Sequence, residues 1–220
     1  MSTGSPFHEG EQRVQTRLGV REAIEPWARR VVRSQLPEEH RAFYAELPFL
    51  VVAARDAVGR PWVTLLAEGP GFVSSPDAGT LRIATSPSQD DALAGALRPG
   101  KDVGLLGIEL ASRRRNRANG RVTHTTDGGV GVAMDQTFGN CPQYITERTW
   151  RRASGPLPSS RARRRGALST PQRRRIERAD TFFIATGYRP EGQEGDVFGM
   201  DASHRGGAPG FVGVPDERHL

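Results

Sequence analysis

A twelve-residue segment occurs twice in this chain. Residues 70–81 read PGFVSSPDAGTL and residues 209–220 read PGFVGVPDERHL, identical at seven of twelve positions at a constant offset of 139. Self-similarity at a fixed spacing marks a duplicated structural unit, so the fold around the first copy must be sought again around the second. A strand-like apolar run precedes each copy: FLVVAAR at 49–55 in the first, TFFIAT at 181–186 in the second, with a longer loop at 187–196 in between. The first copy continues to about residue 150, and the sequence given stops with the second motif. The expectation is one complete unit, 49–150, followed by the opening strands of a second, 179–220.

The runs between the two motifs say what kind of unit this is. FLVVAAR, a turn at 56–61 (DAVGRP) and WVTLLA at 62–67 read as a hairpin of β-branched and apolar residues. Further strands are expected at 81–85, 103–110, 121–126 and 130–138, with one short helix at 90–98 carrying Leu93 and Leu97 on one face. Six short strands with Gly-rich turns predict a mainly β fold, a small closed or partly closed barrel. Ahead of it, Val20, Ile24, Trp27 and Val31 recur at helical spacing, and a second short helix fits 38–46 between Pro37 and Pro48. Residues 1–48 thus read as a helical cover.

Charge is unevenly placed. The chain has 31 basic and 25 acidic residues, net +6, but residues 148–178 hold eleven Arg against Glu177 alone. That segment carries +10 and leaves the rest at −4. With three Pro, four Ser and no apolar periodicity, residues 151–175 read as a solvated linker. Basic segments also bind phosphate backbones, but this one lacks aromatic interleaving apart from Trp150, so nucleic acid is not the expected partner. The longest apolar run is six residues, and the first twenty contain no apolar stretch of signal-peptide type; no membrane span is expected, and the simplest compartment is the cytoplasm. Cys141 is the only cysteine, which excludes an intrachain disulfide and a cysteine-based zinc site, and His8, His40, His124 and His219 are too scattered to suggest a metal site.

Four pieces of sequence carry a more specific signal: Phe7-His8-Glu9-Gly10-Glu11, then residues 115–121 (RNRANGR), residues 138–145 (FGNCPQYI) and residues 201–207 (DASHRGG) ahead of the second PGFV. With these the sequence resembles the FMN-binding split-barrel family related to pyridoxamine 5'-phosphate oxidase, in particular members with two barrels in tandem. The resemblance implies split barrels that pair, as a homodimer or within one chain. It implies FMN, or a deazaflavin in its place, in the groove between two barrels, and a small-molecule substrate for flavin-dependent oxidoreductase chemistry. The second barrel's shortness leaves a non-catalytic flavin binder as the alternative.

A flavin phosphate carries about two negative charges near neutral pH and calls for guanidinium and hydroxyl donors. Under the resemblance, Ser203 and Arg205, two apart on an expected strand and so on one face, form a phosphate clamp, with His204 between them. Thr64 stands 139 residues before Ser203, so the first copy keeps the hydroxyl, while Leu66 replaces the cation of Arg205. Asp90 and Asp91 would repel a phosphate in the first barrel. Arg115, Arg117 and Asn119, with Arg121, form a second cluster, read as an Arg-rich turn between strands and assigned phosphate or substrate contacts. Catalytic residues are not legible; Cys141 has no identifiable partner base.

Overall fold

A computed structural model describes residues 4–153, 165–195 and 197–220. Three helices come first: α1 (Glu9–Arg17), α2 (Arg21–Val31) and α3 (Glu38–Glu46). α1 begins where the His8 ring accepts from the Gly10 amide and the His8 amide donates to the Glu11 carboxylate, a reciprocal cap that the sequence reading passed over. α2 is the amphipathic helix expected from Val20, Ile24, Trp27 and Val31, and it runs through Pro26.

Seven strands follow: β1 (Phe49–Arg55), β2 (Pro61–Ala67), β3 (Val73–Asp77), β4 (Thr80–Ile83), β5 (Asp102–Glu109), β6 (Arg114–Thr126) and β7 (Gly129–Asn140). They form one antiparallel sheet in the order β2-β1-β5-β6-β7-β4-β3. It curls round a core that draws Leu50, Val52 and Ala54 from β1, Leu66 from β2, Leu81 and Ile83 from β4, Val103 and Leu105 from β5, and Val122 and Val132 from β6 and β7. α3 plugs one end: Phe43 and Tyr44 are buried in the same core, and the Tyr44 hydroxyl donates to the Asn116 carbonyl. This is a mainly β architecture with N-terminal helices, as the strand pattern leads one to expect, and of the split-barrel kind that the family resemblance implies.

Three local readings need correction. Residues 90–98 form successive tight turns rather than a helix, because Gly95 adopts φ +64° and breaks any continuous ladder; Leu93 and Leu97 are buried all the same. Residues 115–121 are not a turn but the middle of the thirteen-residue strand β6. Arg115, Arg117, Asn119 and Arg121 alternate there with Asn116, Ala118, Gly120 and Val122, a period of two whose polar half disguised it. Part of the supposed linker is also ordered. α4 (Thr170–Glu177) starts at a Ser169–Gln172 cap with Pro171 in its first turn. The central part of that linker, residues 154–164, lies outside the described residues.

The last two strands, β8 (Thr181–Tyr188) and β9 (Gly199–Gly206), form a separate two-stranded sheet. Its register repeats that of the first hairpin. Leu50 faces Leu66 in β1–β2, and Phe182 faces Arg205, which stands at the offset of 139 from Leu66. Phe183 and Ala185 of β8 thus answer Val51 and Ala53 of β1, and the two sets meet: with Leu106, Ile108, Ile145, Met200 and Ala202 they form a second apolar cluster on the outside of the barrel. β9 lies so close to β5 that a Cβ on Gly104 would sit 2.6 Å from the Asp201 Cα. Residues 211–214, inside the stretch 179–220 where the opening strands of a second unit were expected, form no strand; the Phe211 ring stacks on Phe182 at 5.7 Å.

Candidate functional site

The cross-strand register fixes which side chains face the hairpin. Arg115 pairs with Ile108, Arg117 with Leu106 and Asn119 with Gly104, and Leu106 and Ile108 belong to the outer cluster. Alternation therefore sends Arg115, Arg117 and Asn119 outward, under β9. There they meet the fourth sequence piece. The Asp201 carboxylate accepts from Arg117 Nη1 (3.2 Å), Asn119 Nδ2 (3.1 Å) and the Ser203 hydroxyl (2.9 Å), while Arg117 Nη2 donates to Ser203 Oγ (2.7 Å). One position on, Arg115 Nη1 lies 2.9 Å from His204 Nδ1.

The structure thus brings together Arg115, Arg117, Asn119, Ser203 and His204. It arranges them differently from a clamp of Ser203 and Arg205. The Ser203 hydroxyl is engaged on both sides by Arg117 and Asp201, whereas Arg205 lies at the exposed rim and donates to the His204 carbonyl at 3.1 Å. Thr64 stands apart. It pairs with Val52, whose side chain is in the barrel core, and its hydroxyl donates to the Asp91 carboxylate. Asp201 was the residue missed as a site member, although it heads the fourth piece.

Beside this knot a cavity of about 470 Å³ opens between α1, α2, β6, β7 and the hairpin. All four sequence pieces reach it, through Phe7, His8 and Glu11, then Arg117 and Asn119, then Phe138, then Asp201. Its walls are aromatic. The His8 ring lies 4.8 Å from Tyr188 and 6.3 Å from Phe198, and the Arg117 guanidinium stands 5.6 Å from the Phe138 ring centre. Two polar atoms of this wall, Arg117 Nε and Asn119 Oδ1, are buried without a hydrogen-bond partner. Burial pushes the Glu11 carboxyl above its usual range, and Asp201's charge adds to the rise. A second cavity, of about 560 Å³, shares Pro6, Val32, Gln136 and Val197 with the first and carries Arg29, Arg30 and Arg33.

On the other side of the knot, burial and the neighbouring Arg115 and Arg205 lower the His204 pKa from 6.5 to about 4. The imidazole is therefore neutral at pH 7, and because guanidinium only donates, Nδ1 accepts from Arg115 and the ring proton is on Nε2. Hairpin and barrel are also joined by ion pairs. Arg189, at the end of β8, grips Asp102 through two contacts of 2.8 Å, which raise the guanidinium pKa, and Arg121 reaches Glu194 at 2.6 Å.

Among the described residues no group of three or more His, Cys, Asp or Glu could hold a metal ion, and no helix is long and apolar enough to cross a membrane. No curated protein sequence matches the chain. Among solved structures, a provisional pyridoxamine 5'-phosphate oxidase from Lactobacillus delbrueckii is 18% identical with a TM-score of 0.36, covering 48% of this chain and 95% of its own. HupZ of Group A Streptococcus is 12% identical (TM-score 0.38; 52% and 99% covered). An F420 reductase is 12% identical (TM-score 0.29; 48% and 97%). The pyridoxamine 5'-phosphate oxidase family model matches residues 36–161, more than half of the sequence and the whole seven-stranded sheet; the chain belongs to that family.

Proposed function

We propose that this chain binds FMN, with the isoalloxazine ring in the aromatic cavity between α1 and the β8–β9 hairpin, and that it is a flavin-dependent oxidoreductase. The observation that carries the reading is the convergence of four separate sequence pieces on one cavity whose apolar walls hold a few polar groups. That is the usual make-up of a small-molecule site, and about 470 Å³ falls within the usual range of about 300–1,000 Å³. A flavin ring is flat and apolar on its faces and has a uracil-like edge that both donates and accepts. Tyr188, Phe198 and Phe138 suit the faces; the Asn119 amide, the Gln136 amide and Arg117 suit the edge, and the unpartnered Asn119 Oδ1 and Arg117 Nε leave capacity there. The adjoining arginine-bearing cavity gives the ribityl phosphate a direction, past Gln136 toward Arg30 and Arg33.

When bound, the flavin supplies the hydride and electron transfer, and the protein orients it and excludes water. Glu11, with its raised carboxyl pKa, is the titratable group in this cavity best suited to hold a proton near the ring.

Titration of flavin fluorescence with protein tests the reading. Saturable quenching by the wild type is expected, with affinity for FMN lowered by about tenfold or more in Phe198→Ala and in Asn119→Ala. Affinity unchanged in both variants would remove this cavity as the flavin site. Mass spectrometry of ligand released from the purified protein separates FMN from a deazaflavin.

A further inference from the structure

We infer that Arg189, pinned to Asp102, is the positioning residue for the aromatic wall of the flavin cavity: it sets where Tyr188 and Phe198 stand and, through them, how tightly the ring is held. The inference rests on the reading of that cavity as the flavin site. Its ground is a division of labour in the segment that joins β8 to β9. Tyr188, Val197 and Phe198 line the cavity of about 470 Å³. Arg189, Gln193 and Glu194 line another, of about 360 Å³, together with Asp102 and Arg121 of the barrel. The segment is thus a partition, aromatic on the flavin side and ionic on the other.

A partition of this length does not hold itself. The β8–β9 ladder ends at the Tyr188–Gly199 pair, and the described residues between them belong to no helix or strand. The Gln193 amide donates to the Pro190 carbonyl at 3.2 Å, which closes only a local turn. Arg189 supplies the missing support with a single planar group. Its Nε and Nη2 each meet one oxygen of the Asp102 carboxylate at 2.8 Å, a bidentate pair. Nη2 also donates to the Phe198 carbonyl at 3.2 Å, and Nη1 to the carbonyls of Gln193 and Gly195 at 3.3 and 3.4 Å. One side chain therefore ties both ends of the segment to the first residue of β5. The Arg189 and Asp102 side chains are 20% and 15% exposed, so water and salt screen the pair little. Arg121 adds a second tie to Glu194, but that carboxylate is 79% exposed and the bond is of the weak surface kind.

On the flavin side the pin acts through ring geometry. Phe198 stands edge-on to Tyr188 at 6.0 Å, and the His8 ring lies against both. The Arg189 guanidinium is 5.9 Å from the centre of the Phe198 ring and holds the carbonyl of the same residue. Letting go of that carbonyl frees the ring from the stack. A wall already in place spares a ligand the cost of ordering it, which is how a group that touches no ligand raises affinity. Lysine cannot take the role, because it offers no planar fork to span the carboxylate and the three carbonyls together.

The test uses the full-length protein and two readouts. The first is affinity for FMN and for riboflavin, by fluorescence quenching, well below each variant's unfolding temperature. Arg189→Gln, Arg189→Lys and Asp102→Asn should each weaken both flavins equally, by about tenfold. Combining Arg189→Gln with Asp102→Asn should be no worse than Arg189→Gln alone, since both remove one interaction. Leu105→Ala, which lowers stability from inside the barrel core, should keep the wild-type affinity. The second readout needs no flavin: the His8 ring proton signals should move in Arg189→Gln toward the positions they take in Phe198→Ala. Weakened FMN binding with riboflavin spared would make Arg189 a phosphate contact and overturn the inference. Unchanged affinity in Arg189→Gln and Asp102→Asn, the same loss in Leu105→Ala, or unmoved His8 signals would overturn it as well. If the wild type binds neither flavin, the flavin reading falls by itself, and the His8 signals alone decide whether Arg189 places the wall. If Arg189→Gln does not fold, Asp102→Asn, which keeps the shape of the side chain, carries both readouts.

Discussion

Hairpins β1–β2 and β8–β9 share a register and a repeated sequence, yet they are buried from opposite sides. In the first, Leu50, Val52, Ala54 and Leu66 point into the barrel and are sealed by five further strands. In the second, the equivalents Phe182, Ile184 and Arg205 face outward; Ile184 is exposed, and Phe211 covers Phe182. The opposite face, Phe183 and Ala185 with Met200 and Ala202, packs onto the barrel wall. Local sequence thus fixed the hairpin, but partners decided which face became core. Where β2 offers Thr64, Leu65 and Leu66, β9 offers Ser203, His204 and Arg205, and those polar residues turned a packing seam into a chemical site.

The largest expected effect breaks the barrel half of this comparison. Leu105 is fully buried, and Leu105→Ala should cost about 2–5 kcal/mol, lowering thermal and denaturant stability of the whole molecule. Gly104→Ala, on the next residue but the outer face, forces a Cβ into the Asp201 backbone. About 1–3 kcal/mol of overpacking is expected, appearing as faster hydrogen exchange in β8 and β9 while β5–β7 amides keep their protection. Equal loss of protection in both regions would show that hairpin and barrel unfold as one unit.

Asp201→Asn removes the charge that Arg117 grips. Both side chains are about one-fifth exposed (23% and 20%), so solvent screening limits the cost to about 1–2 kcal/mol, again confined to β8 and β9 in hydrogen exchange. The smallest effect is graded with pH. His204 titrates at about 4 in the folded chain against 6.5 unperturbed, because of burial and then Arg115 and Arg205, with Asp180 opposing. Between those values the unfolded chain binds more protons, so seam stability is complete above about pH 6.5 and falls as pH drops toward 4. Glu11, with its raised pKa, acts in the opposite direction. Exchange of β9 amides at pH 7 and pH 5 should show this loss, and His204→Gln should flatten it.

Strands with an apolar inner half were legible: residues 49–55 and 181–186 announce themselves through β-branched and aromatic runs. The Arg-rich middle of β6 was not, because its outward residues are charged and its inward ones small, so composition suggested a turn. Arg115, Arg117 and Asn119 were nevertheless picked out as a cluster and do meet Ser203 and His204. Thr64 was assigned by repeat position, which preserves hairpin register but not which face is covered. Asp201 and the aromatic wall of Tyr188 and Phe198 were missed, since their role depends on the hairpin lying across the barrel and no local pattern encodes that. His8 was visible only as part of a motif; its place against Tyr188 follows from α1 folding back over a strand 180 positions later in the chain.

The visible absorption spectrum of full-length protein mixed with excess FMN and then desalted tests the central claim most directly. Flavin is expected to stay with the protein fraction, its bands sharpened and shifted by the aromatic cavity and its fluorescence quenched. Phe198→Ala should release most of it, while Thr64→Val should retain it. Flavin that passes through the column with an unaltered spectrum would contradict the account, as would retention lost with Thr64→Val and kept with Phe198→Ala.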